Sequence, residues 1–486
     1  MISDGNLRTS LEDIVVVEIG DQMGDYAALL LAGLGAEVIK LEPPTGSPSR
    51  SVGPFASAAR DPEESIFFWR YNLNKKSVIL DFDNPAASGA LTRILAKTDI
   101  LLLAGEFPTV QHRLEQCAQI AKDNPRLVQC AITPFGLDGP YRELNATDLT
   151  QMALGGIMAV CGYDPCQDGK YDTPPIAPAM WHSYHIGGEY AAIAMMAALN
   201  FRDLSGEGQL IDVSVHEAIN TCTEIAIPTY IYNGETVLRQ TARHAMPAVT
   251  QMRLSTTADN VYMLASLSPF EREERAFIEL ANQVGIDHVL GTPEYAELEK
   301  QDRRAALTYR NDLIGQVVAS QPAQELFERA QALGLAWSPI RRPEENLDDP
   351  HFAARGSFAE IHHPELDRHF RYPGTVATDG QAPHMYYSLW SAKKKGRRYR
   401  SKVAVTESKD GRQRSLWGDI DTAPRNHVVK NVGQRRRQSA YDLFQIQMDV
   451  DHYNDAHPEE ENIQFSLVFT EDVAEMKIAA GIEDAA

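Results

Sequence analysis

From residue 14 the chain alternates short apolar runs with segments whose apolar residues recur every three or four positions. IVVVEIG (14–20) is a β-branched run, DYAALLLAGLGA (25–36) has helical spacing, and EVIKLE (37–42) reads as the next strand. Gly35 stands where a helix C-cap glycine belongs. Two strands joined by one helix predict a parallel pair with a right-handed crossover. A second unit follows: KSVILDF (76–82), a helix over NPAASGALTRILAKT (84–98) started by Asn84 with Pro85 in its first turn, then DILLLAG (99–105). After a further short helical segment, RLVQCAITPFG (126–136) supplies another strand. The alternation predicts an α/β fold, an open parallel sheet with helices on both faces.

Residues 181–204 are helical in period and nearly apolar throughout, as expected of a buried helix, and GQLIDVSVHEAI (208–219) reads as strand into helix. Residues 250–320 mix short strands with amphipathic helices, the texture of a smaller α+β domain. Beyond about 386 the texture changes again. Basic blocks (KKKGRRYRSK, 393–402; RRRQ, 435–438) and an acidic one (HPEEEN, 457–462) are separated by few apolar clusters, with one strand over IQFSLVF and one helix capped by Thr470. A charged, solvated extension is expected there, and it lacks the interleaved aromatics of an RNA-binding segment.

The 486 residues are too many for one small core, so two or three domains are expected. The net charge of −21 argues against nucleic-acid binding by the whole chain. Of the five cysteines only Cys161 and Cys166 are close, and no matching Cys/His pair follows, so neither a zinc site nor any other metal site is expected and a reducing compartment fits best. No basic-then-apolar leader and no run of eighteen apolar residues is seen, which makes a cytoplasmic protein without membrane contact the expectation. EIGDQMGDY lacks the G-x-G-x-x-G spacing, which sets aside a nicotinamide dinucleotide.

Five blocks then carry a family. In order they are LLLAGLGAEVIKLEPPTGSPSR, RYNLNKKSVILDF, FGLDGPYRELNATDLTQMALGGIM, ALNFRDLSGEGQLIDVSVHEA and DDPHFAARGSFAEIHHPELDRHFRYPG. Together, from about residue 11 to 380, they resemble the family III CoA-transferases, the group of carnitine CoA-transferase, formyl-CoA transferase and α-methylacyl-CoA racemase. The resemblance implies a Rossmann-like large domain with a parallel sheet, formed by 1–215 and a return at 326–385, plus a small α+β domain at 216–325. The stretch 386–486 lies outside it. It also implies an interlocked dimer, either a homodimer or a heteromer with a related subunit.

The implied substrates are an acyl-CoA and a carboxylic acid, with no covalently bound cofactor. An aspartate attacks the thioester, a mixed anhydride forms, and CoA passes through an enzyme thioester to the acceptor acid. In the family that aspartate opens the buried helix, about twenty-five residues before the glutamine of the G-x-G-Q block. Counting back from Gln209 reaches Tyr184, with Ser183 and His185 beside it, so the expected nucleophile is absent. Glu189, the nearest carboxylate, lies five residues on, about 7.5 Å of rise and about 140° of rotation away. The racemase branch has a histidine before the aspartate of its G-H-D block, where this chain has Thr147 before Asp148.

His182 and His185 share one face of the helix start. Either imidazole could serve as a general base oriented by Asp148, or both could be hydrogen-bonded packing residues. Asp148 could likewise sit in an acyl pocket or N-cap its own helix, LTQMALGG. For CoA the resemblance points to Gln22, to Asn74, Lys75 and Lys76 at the phosphates, and to Gly139, Pro140 and Tyr141 along the pantetheine. Against it, Pro43 replaces a family arginine, LAG (103–105) replaces the E-N-F block, and no glycine-rich flap is seen near RHAMPAVT. The functional expectation is transfer of CoA between acids. The alternatives are a non-catalytic partner subunit and an isomerase working by His/Asp acid–base chemistry.

Overall fold

The computed structural model describes residues 9–374 apart from 83, 86, 224, 269, 364 and 365, and beyond 374 only the backbone of short strand segments. The chain divides into two units: 1–155 with 179–222 and 354–486, and 156–178 with 223–353.

The first unit is built on strands β1 (Val15–Ile19), β2 (Glu37–Glu42), β3 (Lys75–Leu80), β4 (Ile100–Ala104), β5 (Val128–Thr133) and β6 (Leu210–Ser214). They are parallel and ordered β3-β2-β1-β4-β5-β6. The expected open α/β sheet with Rossmann-like order is therefore the fold. A short strand at His427–Lys430 pairs antiparallel with β3 at the edge. Helices α1 (Gln22–Gly33), α2 (Ile66–Tyr71), α3 (Ala87–Leu95), α4 (Phe107–Asp123), α5 (Asp148–Leu154), α7 (His182–Ser205) and α8 (Val215–Asn220) connect and cover it.

Alternation along each strand sorts side chains between the faces. Val15, Val17, Ile19, Ile39, Leu41, Val78, Leu80, Leu101 and Leu103 pack with α3 and α4 in one apolar core. Helix α3 begins at Ala87, later than Asn84–Pro85, because those residues form a turn closed by Ala87 N–H on Asn84 O. Helix α1 ends as its glycine indicates: Gly35 has φ +99, and Ala36 N–H bonds to Leu31 O at 3.1 Å.

The other face, under α1 and α7, carries charge. Lys40 Nζ lies 2.8 Å from Glu18 Oε1 and 2.5 Å from Asp25 Oδ1, and Lys75 Nζ lies 2.9 Å from Glu18 Oε2, all four side chains being buried. Beside them Glu42 receives a two-point bond from Arg50 at 2.6 and 2.8 Å.

The hairpin β12 (Phe358–His363) and β13 (Arg368–Pro373) belongs to this unit, with Ile361 and Tyr372 packing on Leu29, Trp69 and Leu73. His363 is 1% exposed and bonded to the Tyr372 hydroxyl at 2.8 Å. Burial, with His362 nearby, lowers its pKa from 6.5 to about 4. Between those values the unfolded histidine binds more protons than the folded one, so stability falls with falling pH across that window. Wild-type protein should lose about 1.5 kcal/mol between pH 6.5 and 5 from this group. His363→Gln should flatten that slope in urea titrations, and an unchanged slope would refute the assignment.

The second unit holds α6 (Ile157–Val160), α9 (Ala226–Asn233), the hairpin β7 (Leu238–Gln240) and β8 (Arg243–Met246), and an antiparallel sheet of β9 (Leu254–Thr256), β10 (Tyr262–Leu264) and β11 (Ser338–Pro339). Helices α10 (Glu271–Gln283), α11 (Pro293–Gln301), α12 (Arg303–Ala319) and α13 (Ala323–Ala332) close its core around Phe277, Leu313, Val317, Leu326 and Trp337. This unit takes 156–178 and 223–353, where 216–325 was read from sequence. The later end arises because Leu326, Ala330 and Trp337 are buried in its core.

Candidate functional site

The strand order reverses between β1 and β4, and in open α/β sheets the crevice outside the carboxyl ends of such strands is where ligands bind. Here those ends carry Gly20–Asp21 and Gly105–Glu106. Asp21 N-caps α1, its Oδ1 accepting from Met23 N–H at 2.9 Å. Gly24 lets the first turn of α1 lie on the end of β4, since a methyl there would come within 2.5 Å of Ala104 Cβ. Burial raises the Asp21 pKa to about 6, against the Met23 amide and Lys40, with the negative charge of Glu106 adding to the rise. Burial also raises the Glu106 pKa, although its carboxylate accepts from the Ala146 amide.

Helix α7 begins beside this crevice, and its start is held from outside. Trp181 has φ +70 and offers no side-chain cap. Asp148 takes that role: Oδ2 accepts from Trp181 N–H at 2.8 Å, and Oδ1 accepts from Ser183 N–H at 3.0 Å and Ser183 Oγ at 2.5 Å. Its own helix is capped by Thr147 instead. The reading of Asp148 as N-cap of LTQMALGG is thus corrected, because the threonine one residue earlier holds the extended backbone of a cap.

Tyr184 is buried and stacks on Trp181, ring centres 5.8 Å apart. Burial first, then Asp21, Asp148 and Glu106, push its phenol well above the usual range. It is a neutral donor surrounded by acids.

One residue on, the helix turns toward aromatics. His185 Nε2 and the Tyr71 hydroxyl are hydrogen-bonded at 2.7 Å, and Tyr26 lies against the imidazole at 4.3 Å. Burial, His182 and Arg70 lower the His185 pKa to about 4. His182 meets it edge-on at 6.4 Å. The orienting partner of His185 is therefore Tyr71 and not Asp148, whose oxygens are occupied by the start of α7. An imidazole this weakly basic is neutral at pH 7 and poorly suited to remove a proton. Glu189 accepts from the Tyr26 hydroxyl and lines, with Tyr26, Leu30, Arg70 and Met196, an apolar cavity of about 480 Å³.

The residues expected at CoA fall into two groups. Lys75 points into the interior, its Nζ bonded to Glu18, to Asp25 O at 2.8 Å and to Asn72 Oδ1 at 3.0 Å. Lys76 is 3% exposed and paired with Glu37, and Asn74 is buried with φ +62 at the entry to β3. Both amines are taken by carboxylate partners, Glu18 buried and Glu37 partly buried, where open phosphate contacts were expected. By contrast Gln22 stands first in α1 with its buried Oε1 unpartnered. Gly139, Pro140 and Tyr141 form an exposed loop after β5, and the φ of Gly139 is +84. Asp21, Glu106, Tyr26 and Tyr71 escape the sequence reading. Only their places could have marked them: Asp21 and Glu106 after the first and fourth strands, Tyr26 within α1 and Tyr71 in the short aromatic helix α2.

The sequence model of CoA-transferase family III matches residues 11–388. The chain is 28% identical over 358 residues to succinyl-CoA–D-citramalate CoA-transferase of Chloroflexus aurantiacus, covering 73% of this chain and 84% of that one. It is 26% identical over 369 residues to the BbsE subunit of succinyl-CoA:(R)-benzylsuccinate CoA-transferase of Thauera aromatica, covering 75% and 87%. In fold it is similar to a CaiB/BaiF family protein from Brucella suis, with TM-score 0.62, 24% identity, and 77% of this chain and 94% of that one covered.

Proposed function

The chain belongs to CoA-transferase family III, and from that premise we propose that it moves coenzyme A between carboxylic acids by way of acyl-CoA thioesters. The observation that carries this reading is the crevice at the strand-order reversal, where Asp21, Glu106 and the start of α7 with Tyr184 converge. A half-buried carboxylate and a neutral phenol are the two groups that acyl exchange needs: one to attack, one to hold the oxyanion. With both lysine amines taken, CoA contact falls to Gln22 and the Gly139–Pro140–Tyr141 loop. No enzyme-bound cofactor is required. A cytoplasmic setting accords with CoA chemistry and with five free thiols, and no described helix is long and apolar enough to cross a membrane.

A second reading has its own support. Tyr184 stands where the family's attacking aspartate is expected, and the Thauera aromatica relative is by its name a subunit. In that case this chain would be the non-catalytic member of a heteromer. The test is exchange of CoA from succinyl-CoA to a panel of acids, by the protein alone and with an aspartate-bearing related chain. Exchange by the protein alone is the expected result. Exchange only in the mixture favours the subunit reading, and none in either refutes transfer.

A further inference from the structure

We propose that Asp21 is the carboxylate that attacks the acyl thioester in this chain, standing in for the acid that the first turn of α7 lacks. The proposal rests on the transferase reading and goes one residue further.

Elimination among the acids around Tyr184 leads to it. Asp148 has both oxygens engaged by Trp181 and Ser183. Asp25 is fully buried and bound to Lys40 and Asn72. Glu189 is tied to the Tyr26 hydroxyl. Glu106 acts on the Tyr184 phenol less than either Asp21 or Asp148 does. Asp21 spends Oδ1 on Met23 N–H, and among the described residues no other residue donates a hydrogen bond to Oδ2.

The surroundings of that oxygen point to a ligand. Gly105, at φ +137, faces it, and a Cβ there would sit 3.4 Å from Oδ2, so any other residue would cover the approach. The adjoining Gln22 Oε1 is buried with no partner, an acceptor that a pantetheine amide N–H would satisfy. Tyr184, whose phenol feels Asp21 more than any other charge and stays neutral, is the donor we assign to the thioester oxygen as it becomes an oxyanion. The raised pKa of Asp21, about 6, leaves it mostly ionised at pH 7 yet more basic than an ordinary aspartate.

The chemistry balances without any further reagent. Oδ2 adds to the thioester carbonyl, the C–S bond breaks, and CoA leaves as thiolate, giving an acyl–aspartyl anhydride. The thiolate adds to Cγ of Asp21, the Cγ–O bond to the acyl group breaks, and the donor acid departs as carboxylate. The acceptor carboxylate then adds to Cγ of the aspartyl thioester and expels the thiolate. Attack of that thiolate on the acceptor's acyl carbon forms the new acyl-CoA and restores the Asp21 carboxylate.

The test uses the full chain with succinyl-CoA and a labelled acceptor acid, quenched during turnover and analysed by intact-mass and peptide mass spectrometry. A CoA-sized adduct on the peptide containing Asp21 is expected. Asp21→Asn keeps the helix cap, since asparagine caps as well as aspartate, and should lose the adduct and at least ~10³-fold in exchange. Asp21→Glu, which keeps a carboxylate, should recover part of it. Wild-type exchange with the adduct on Glu106 or elsewhere, or Asp21→Asn exchange within tenfold of wild type, overturns the proposal while leaving the transferase reading intact. Absence of exchange by wild-type protein, alone and with a related chain, overturns both.

Discussion

Lys40→Met should cost about 3–5 kcal/mol of folding stability, the range found when one partner of a buried ion pair is removed. Lys40 is 1% exposed and bridges Glu18 and Asp25, which are themselves fully buried. Burial alone would lower its pKa, but the two carboxylates outweigh burial and raise it, so the amine is charged at every accessible pH. Without it, two carboxylates in the interior share only Lys75. Burial and mutual repulsion would then hold their pKa values above those of the unfolded chain. For acids shifted upward, the folded state binds more protons than the unfolded one, and stability falls as pH rises. The deficit of the variant against wild type should therefore shrink as pH drops from 8 to 5. Urea midpoints at several pH values measure both effects, and a deficit under 1 kcal/mol at pH 7 would show that the seam is not held by this lysine.

Asp148→Ala should cost about 2–4 kcal/mol, since hydrogen bonds to a charged group contribute ~1.5–3 kcal/mol each and are not additive. The substitution strips acceptors from Trp181 N–H, Ser183 N–H and Ser183 Oγ at once. The loss should be local before it is global: hydrogen exchange should accelerate in the first turn of α7, which carries Tyr184 and His185, while the strands β1 and β4 stay protected. CoA exchange should fall with it, because the turn that carries Tyr184 would no longer be fixed. Asp148→Asn keeps one acceptor oxygen and should recover part of both. Uniform protection in the alanine variant would mean that α7 starts without this carboxylate.

Much of the fold is legible from local pattern. The run EVIKLE becomes β2 with the same ends, the helical spacing over 181–204 becomes α7 at 182–205, and Gly35 takes the left-handed conformation that its place after α1 requires. These succeed because burial on one side of a strand or helix repeats at that element's own period. The candidate site is less legible. Lys75 and Lys76 sit in a basic turn by sequence, yet Lys76 meets Glu37 of the neighbouring strand β2 and Lys75 reaches past β2 to Glu18 of β1. Glu18 and Lys40 look like polar interruptions in apolar strands. Only the parallel register, which sets Glu18 beside Lys40, makes them a pair.

The sequence by itself determined the alternation of strands and helices, the five blocks of the family, and the lack of any acid between residues 173 and 188. The tertiary structure decided which acids surround Tyr184, that Asp148 caps α7 and not its own helix, and that among the described residues Met23 alone of the other residues donates to the Asp21 carboxylate. The physical reason lies in separation along the chain. Periodicity reports the environment of one element, whereas residues 21, 106, 148 and 184 meet only after the crossovers have set the strand order.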